Sequence, residues 1–228
     1  MFENEKVGAV VTAAGSSRRM GDVDKIFSLL GSHPVLACVV DVFQNCEAID
    51  QIVVVLNRQN IVAGRKLATE YGWSKVTDLC EGGPRRQDSV TNGLNRLNNC
   101  RWVVIHDGAR PLVTVDLIEH GLEAALDTGA AIAAVPVSDT IKIAGKDMIV
   151  QGTPPRHDLW SVQTPQIFRY ELISGAYRQI QSEVTDDAMA VEKSGHRVKI
   201  YTGSYDNIKI TTPDDLLLAE VLWRKYGR

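Results

Sequence analysis

Short runs of apolar, mostly β-branched residues alternate with helical stretches along the whole chain. The runs that predict strands are residues 7–13, 52–56, 76–79, 102–106, 130–137 and 198–201. Because these runs are almost continuously apolar, the strands should be buried on both faces, as parallel strands joined by crossover helices are. The pattern therefore predicts an α/β fold in which helices cover a mostly parallel, twisted sheet.

The first long helix is indicated by its apolar spacing. Val35, Cys38, Val39 and Val42 recur at i, i+3, i+4 and i+7, which places them on one helix face. Further apolar residues between them widen that face. We therefore expect this helix to be buried.

The last helix carries start signals of its own. Thr212 is a suitable N-cap, Pro213 fits the first turn, and Asp214 and Asp215 place negative charge at the positive end of the helix dipole. These residues predict a helix that runs to about Lys225. Immediately before it, residues 206–211 indicate the edge of a further strand.

The segment 139–165 departs from the alternation. Short polar strands at 140–143 and 148–152 flank a turn of small and polar residues, and prolines follow. Such a hairpin arm is too thin to enclose a core, so another surface must stabilise it, and a second copy of the chain is the simplest partner. We expect one domain, residues 1–228, with a dimerisation β-arm at about 139–165.

Composition excludes several classes of function. The 228 residues carry 25 Lys plus Arg and 28 Asp plus Glu, a net charge of −3, and no run of the chain is strongly basic. A protein that binds nucleic acid through phosphate neutralisation would show such a bias. The longest apolar runs are far shorter than the roughly 18 residues of a membrane-spanning helix, so neither nucleic acid nor a membrane is an expected partner.

The start of the chain and its cysteines bear on localisation. The first residues, Met-Phe-Glu-Asn-Glu-Lys, are acidic where a secretory signal would be basic and then apolar. Cys38, Cys46, Cys80 and Cys100 form no CxxC pair and have no histidine at metal-ligand spacing. We interpret them as free thiols of a cytoplasmic protein.

The loop after the first strand is the most informative segment. Ala13, Ala14 and Gly15 allow a phosphate chain to approach the backbone closely, and two arginines, Arg19 among them, follow with Lys25. The loop matches neither GxGxxG nor GxxxxGK[ST]. Because it supplies guanidinium and ammonium groups, it fits a triphosphate better than a dinucleotide. A surface turn with solvated basic residues is the alternative.

Two further loops follow predicted strands. Gly82 and Gly83 would admit a flat ring against the backbone, whereas a helix cap accounts equally well for Asp88 or Ser89 without any ligand. Asp107, with Arg110 close behind it, ends another strand, where open α/β sheets bind ligands. The neighbouring His106 lies within the strand and is interpreted as a core histidine rather than a base.

Lys209 is ambiguous from spacing alone. It lies between Ile208 and Ile210. If the ammonium points inward it needs an acidic partner, and if it points outward it is simply solvated. Spacing leaves both possibilities open.

Taken in order, these segments resemble one family over nearly the whole chain: the 2-C-methyl-D-erythritol 4-phosphate cytidylyltransferases of non-mevalonate isoprenoid (isoprene) biosynthesis. The resemblance rests on the order of these motifs along the chain and not on any single motif. The matching pieces are residues 10–15, Arg18-Arg19-Met20, Lys25, Gly82-Gly83, Asp88-Ser89-Val90, residues 106–111, Asp139-Thr140, Thr164-Pro165-Gln166, Thr185-Asp186 and Asp206-Asn207-Ile208-Lys209. The resemblance implies a Rossmann-like nucleotidyltransferase fold.

The resemblance also implies a reaction. A polyol phosphate attacks the α-phosphorus of CTP in line, giving a CDP-alcohol and pyrophosphate in the presence of Mg²⁺. The phosphate nucleophile, with a second pKa near ~6, is already anionic at neutral pH, so no general base is required. Mg²⁺ would sit mainly on the CTP phosphates rather than on protein ligands.

Site residues are implied position by position. The catalytic positions match Arg19 and Lys25, which would stabilise the transition state, and Arg156 and Lys209, which would hold the substrate phosphate. Asp107, Arg110, Thr140 and Thr185 match substrate-binding positions. Ala13, Ala14, Gly15, Gly82, Gly83, Ser89 and Gly108 match the nucleotide pocket. Arg156 would act across a homodimer, reaching the partner's active site by way of the arm.

Two departures from the family pattern bear on the nucleotide pocket. Pro84 stands where an acidic residue is common, and Ser16-Ser17 replace a frequent aromatic residue and glycine. Two other functions remain as alternatives: a ribitol 5-phosphate cytidylyltransferase, and a non-catalytic nucleotide-sensing domain. The second should have lost one of the four catalytic cations, and all four are present.

Overall fold

Among the residues that the computed structural model describes, 1–15, 25–180 and 182–227, helices alternate with strands as expected. The strands are β1 (Val7–Ala13), β2 (Leu29–Leu30), β3 (His33–Pro34), β4 (Gln51–Leu56), β5 (Val76–Glu81), β6 (Trp102–Asp107), β7 (Ala130–Pro136), β8 (Ile143–Ala144), β9 (Val150–Gly152), β10 (Trp160–Arg169) and β11 (Lys199–Thr202). The α-helices are α1 (Val35–Asn45), α2 (Ile61–Tyr71), α3 (Arg86–Leu94), α4 (Val115–Ala125), α5 (Tyr170–Gln179), α6 (Asp187–Lys193) and α7 (Pro213–Lys225).

Seven of the described strands form the central sheet in the order β11-β7-β10-β6-β1-β4-β5. β1 pairs in parallel with β4 and β6, β4 with β5, and β7 with β11, whereas β10 runs antiparallel to β6 and β7. The mostly parallel α/β fold is therefore confirmed. All six strands predicted from the sequence are present, with boundaries that shift by no more than about two residues.

Of the described strands in the central sheet, β10 is the one that the sequence pattern missed. Gln163, Thr164 and Gln166 are buried in it, so the central part of the strand is polar where its neighbours are apolar, and Pro165 interrupts it. Its first half, from Trp160 to Pro165, belongs to the central sheet, although the sequence suggested that the arm extends this far.

Helices cover both faces of the sheet. On one face, α1 and α4 pack against Val11 and Val54, with Phe43 and Leu122 among the buried contacts. On the other face, α3, α5 and α6 pack against strand residues such as Val10. Alternate residues of the same strands therefore enter opposite halves of the core, which explains why the strand sequences are continuously apolar.

The two predicted helices are confirmed. α1 buries the apolar face that its spacing indicated. α7 begins after Thr212, whose hydroxyl accepts from the Asp215 amide (3.3 Å), while an Asp215 carboxylate oxygen accepts from the Thr212 amide (2.8 Å). Such a reciprocal box satisfies two amides at the helix start that would otherwise lack partners.

The segment before α7 is a loop rather than the predicted strand edge, so that expectation was wrong. Its Ile210 amide donates to the Ala109 carbonyl (2.8 Å), which ties it to the end of β6. At its other end, Asp206 accepts hydrogen bonds from Lys225 (2.8 Å) and from the Tyr226 hydroxyl, beyond the last turn of α7. The loop is therefore held at one end by the segment after β6 and at the other by the C-terminal helix.

The arm consists of β8 and β9, which pair only with each other. Ile143, Met148, Ile149 and Val150 leave more than half of their surface exposed there. Within the described residues, no helix has the length and apolar character needed to cross a membrane.

Close packing between α3 and the sheet makes Gly93 sensitive to substitution. A Cβ at this position would lie 2.4 Å from Val10 Cγ1 and 2.9 Å from Val55 Cγ2. We expect Gly93→Ala to lower the free energy of unfolding by about 2 kcal/mol, since overpacking a tight core costs about that much. Urea denaturation measures the change. The control is Gly175→Ala in α5, where the nearest atom would be 3.9 Å away; equal stability of the two variants would contradict the packing argument.

Candidate active site

A cavity of about 390 Å³ lies at the carboxyl edge of the sheet, where β1, β5 and β6 end. Ala13, Ala14 and Gly15 form one wall, and Gly83 and Ser89 form another. Lys25, Asp107 and Lys209 also line the cavity. The loops that the sequence singled out are therefore brought together, as the shared polarity of parallel strands requires.

Glycine is needed where the loops approach one another most closely. A Cβ on Gly82 would lie 2.4 Å from the Ala14 Cβ, and one on Gly108 would lie 2.9 Å from the Ala13 Cβ. Neither glycine lines the cavity itself; each lets the small residues of the first loop reach the wall. The result is a pocket with one wall of alanine and glycine, to which a flat ring can lie close.

The two possible helix caps have different partners. Asp88 accepts from the Arg85 amide (3.1 Å) and pairs with its guanidinium, which completes a capping interaction at the start of α3. The Ser89 hydroxyl instead accepts from the Gly83 amide (3.0 Å) and so braces the loop. The cap interpretation is correct for Asp88.

A second cavity, of about 550 Å³, adjoins the first. Arg110 and Thr185 line it, together with polar side chains of β10 and the start of α6. Thr185 donates from its amide and its hydroxyl to the Met189 sulfur, at 3.5 and 3.4 Å. Of the described residues, Arg86, Asp107 and Lys209 line both cavities.

Asp107 is the electrostatic centre of this arrangement. Its carboxylate lies 2.7 Å from Lys209 Nζ, 3.4 Å from an Arg86 nitrogen and 3.7 Å from Arg110 Nε. Burial alone would raise the pKa of Asp107, but the charges of Arg86, Lys209 and Arg110 together hold that pKa well below its ordinary value. Asp107 is therefore an anion in the folded protein.

The orientation of Lys209 follows from this contact. Its ammonium points inward, to Asp107, although about 38% of the side chain stays exposed to the cleft. The inward alternative is therefore correct. An ammonium that is paired and still accessible can also meet a second anion arriving from the cavity.

His106 is enclosed behind the site. Its Nε2 lies 3.2 Å from the Arg110 carbonyl, so this nitrogen carries the proton, and its Nδ1 accepts from the Thr164 hydroxyl at 3.1 Å. The same hydroxyl accepts from the Asp107 amide (3.0 Å). Burial lowers the pKa of His106 to about 4. The histidine is a neutral core residue, as predicted.

Two predicted residues with hydroxyl or charged side chains lie away from both cavities. Thr140 and Arg156, both in the described part of the chain, are exposed beside the arm and line neither cavity; Arg156 donates to the Ser138 carbonyl (2.9 Å). Arg19 lies outside the described residues. Among the described residues, the predicted charged or hydroxyl-bearing side chains that share the cleft are Lys25, Ser89, Asp107, Arg110, Thr185 and Lys209.

Sequence reasoning missed Arg86. Its guanidinium lies 2.7 Å from Asp187, which is fully buried, and reaches Asp107 on the other side. In the sequence, two adjacent arginines after a Gly-Gly-Pro turn are typical of a solvated surface. The signal that could have identified Arg86 is its position in the sequence. It begins a helix directly after a glycine-containing loop at a strand end, where open α/β sheets bind ligands.

A pocket with a wall of small residues beside a second, cationic pocket at the carboxyl edge of an α/β sheet suits a nucleotidyltransferase. The family model of IspD, 2-C-methyl-D-erythritol 4-phosphate cytidylyltransferase, matches residues 7–225. The chain belongs to this family of cytidylyltransferases.

Individual relatives agree with the family match. A protein of Dehalococcoides mccartyi named 2-C-methyl-D-erythritol 4-phosphate cytidylyltransferase is 53% identical over 99% of both chains, and one of the same name from Alkaliphilus oremlandii is 48% identical over 98% of both. The crystal structure of the 4-diphosphocytidyl-2C-methyl-D-erythritol synthase of Anaerococcus prevotii superposes with a TM-score of 0.85 at 30% identity and covers 96% of this chain and 99% of its own. The Thermus thermophilus cytidylyltransferase gives 0.77 at 31% identity, covering 94% and 98%.

The enclosure of His106 has a measurable consequence. We expect its imidazole to stay neutral down to about pH 5, because burial lowers its pKa to about 4. Since the unfolded chain takes up this proton near pH ~6.5, the free energy of unfolding should fall as the pH drops from about 6.5 towards 4. Side-chain ¹⁵N NMR follows the imidazole, and denaturation at each pH follows stability. A titration midpoint near that of free histidine would show that the ring is not enclosed.

Proposed function

We propose that this protein transfers the cytidylyl group of CTP to 2-C-methyl-D-erythritol 4-phosphate, giving 4-diphosphocytidyl-2-C-methyl-D-erythritol and pyrophosphate. The observation that carries the proposal is the pair of adjoining cavities with Arg86, Asp107 and Lys209 between them. One cavity suits a base and phosphates, the other a polar anion, and reaction requires the two to meet at one phosphorus atom.

CTP would occupy the first cavity, whose wall includes Ala13, Ala14 and Gly15. The residues that we assign to it are Ala13, Ala14, Gly15, Gly82, Gly83, Ser89 and Gly108. Backbone amides and carbonyls can recognise the edge of a small pyrimidine ring. The triphosphate would extend towards Lys25, which lines the same cavity, and towards Arg19.

The nucleophile needs no base from the protein. A phosphate monoester is largely dianionic near neutral pH, since its second pKa is about 6. His106, the histidine closest to the site, has both ring nitrogens engaged and is neutral. Catalysis would therefore rest on bringing two anions together and stabilising the charge that develops at phosphorus.

The proposed catalytic cations have two different roles. Arg19 and Lys25 would stabilise the α-phosphate in the transition state and the departing pyrophosphate. Lys209 and Arg156 would hold the substrate phosphate for in-line attack. Lys209 is suited to this role because Asp107 fixes its ammonium (2.7 Å) at the boundary of the two cavities.

The polyol would bind in the second cavity. Asp107, Arg110 and Thr185 line it and offer the hydroxyl groups both donors and acceptors. Thr140 would join them from the partner subunit. Three cations around Asp107 keep it ionised, so it can accept from a substrate hydroxyl.

Mg²⁺ fits this site as a partner of CTP. Among the described residues, no cluster of three or more histidine, cysteine or acidic side chains is arranged to hold a metal ion, and Asp107 is already surrounded by cations. A hard cation that keeps most of its waters and binds phosphate oxygens suits such a donor set. When bound, the ion would offset triphosphate charge.

A homodimer would complete the site. Arg156 and Thr140 lie beside the arm, outside the cavities of their own chain, and the arm exposes Ile143, Met148 and Val150. Contact with a second arm would bury these apolar side chains and could carry Arg156 to the neighbouring cleft. We place the enzyme in the cytoplasm; its four cysteines, all in the described part of the chain, are free thiols.

Mixed dimers test the shared site. We expect Lys25→Ala and Arg156→Ala each to be nearly inactive alone. In a dimer of one chain of each kind, one site carries both lesions and the other carries neither, so re-equilibrated mixtures should recover about a quarter of wild-type activity. Activity is measured as pyrophosphate release, and sedimentation confirms the dimer. Should the mixture stay inactive while heterodimers are present, Arg156 acts within its own chain.

Substrate identity is tested directly. Purified protein with CTP and Mg²⁺ should release pyrophosphate with methylerythritol phosphate and turn over ribitol 5-phosphate at least tenfold less efficiently, because ribitol carries its five carbons in a longer, unbranched chain with one more hydroxyl. Turnover with ribitol 5-phosphate alone would establish the alternative substrate. Binding of CTP without turnover of either polyol would indicate a nucleotide-sensing domain.

A further inference from the structure

Arg86 occupies a position for which the proposed reaction has so far given no role. Of the described residues, it is one of three that line both cavities, and the other two, Asp107 and Lys209, already have roles. It is the first residue of α3, directly after the loop that carries Gly82 and Gly83. The helix start therefore projects a guanidinium to the boundary between the nucleotide and the acceptor.

Buried groups hold Arg86 from behind. One guanidinium nitrogen lies 2.7 Å from an oxygen of Asp187, whose side chain is fully buried. The Tyr177 hydroxyl donates to the other oxygen of that carboxylate. Transfer of a carboxylate out of water costs several kcal/mol. An apolar side chain would therefore fill the space under the helix at a lower cost in free energy than Asp187 does. Asp187 does, however, fix the direction in which Arg86 points.

The front of the guanidinium is held less tightly than the back. Its second terminal nitrogen lies 3.4 Å from Asp107, beyond the usual 2.7–3.2 Å of a strong N–H···O hydrogen bond. Asp107 has a closer partner in Lys209 (2.7 Å). About 28% of the Arg86 side chain remains exposed to the cleft. A phosphate oxygen could therefore accept from this nitrogen without disrupting the ion pair with Asp187.

We propose that Arg86 is a further catalytic residue, which binds a non-bridging oxygen of the α-phosphate of CTP at the boundary of the two cavities and strengthens that contact in the transition state. The inference rests on the proposed function for where the phosphates lie. Asp187 and Tyr177 are positioning residues that keep the guanidinium in place. A guanidinium suits the task because its fork can meet a carboxylate behind and a phosphate in front.

Kinetics of substituted enzymes test the role. Arg86→Gln is expected to lower kcat about 100-fold, as loss of one transition-state donor does, with a smaller rise in KM for CTP. Arg86→Lys keeps the charge but not the fork and should recover part of that loss. Asp187→Asn should lower kcat about tenfold by loosening Arg86. The matched control is Arg96→Gln, which removes an exposed arginine paired with Asp78 at 3.3 Å, away from both cavities, and should leave kcat unchanged.

A purely structural role would give a different result. In that case Arg86→Gln would lower the melting temperature, while the folded fraction, measured by circular dichroism, kept a kcat within twofold of wild type; this outcome overturns the proposal. If Arg86→Gln does not fold because Asp187 is left without a partner, the double variant Arg86→Gln/Asp187→Asn removes both charges. Wild-type kcat in that folded double variant would overturn the proposal equally.

Binding of nucleotides separates this inference from the proposed reaction. Calorimetric titration needs no second substrate: Arg86→Gln should weaken CTP binding several-fold and leave cytidine binding unchanged, since only CTP carries phosphates. Wild-type protein that binds CTP but does not turn over methylerythritol phosphate would refute the proposed acceptor. The proposal for Arg86 would be unaffected by that result. Equal CTP affinity of wild type and Arg86→Gln would refute the contact itself.

Discussion

The carboxylate of Asp107, buried at the end of β6, is the interaction on which the rest of the site depends. A charge in that position is tolerated only because cations from separate segments converge on it: Arg86 at the start of α3, Arg110 just after β6, and Lys209 in the loop before α7. Lys209 has its closest acidic partner in Asp107, whereas Arg86 is also held by Asp187 and Arg110 donates to the Asn207 carbonyl (2.7 Å). One buried anion therefore organises a cationic boundary that two anionic substrates can use.

Much of the fold could be predicted because the local sequence patterns of the core elements agree with the strands and helices that they form. Continuous apolar runs marked the parallel strands, and the spacing of Val35, Cys38 and Val39 marked a buried helix. β10 escaped prediction because the partners of its polar side chains are distant: Gln163 donates to the Ser204 carbonyl, and Gln166 donates to Asp186. A strand stabilised by such long-range hydrogen bonds has no periodic signature in its own sequence.

The candidate site also contains residues that could be predicted from the sequence and residues that could not. Loops at strand ends could be predicted, since sheet polarity alone brings Gly15, Gly83 and Asp107 to one edge. The direction of Lys209 could not, because its partner comes from a different part of the chain, and Arg86 resembled a solvated residue until Asp187 was seen behind it. Arg156 differs from both, because it lies beside the arm and its proposed role requires a second subunit.

The contacts of Asp206 with Lys225 and Tyr226 have a practical consequence for work with this protein. They place the end of the chain within a few residues of the loop that presents Lys209, so an affinity tag fused there would extend from a structural support of the active site. The other terminus lies at the opposite edge of the sheet, where Glu5 accepts from the Trp102 indole (2.9 Å) at the start of β6. Preparations intended for kinetics are therefore better tagged at the amino terminus.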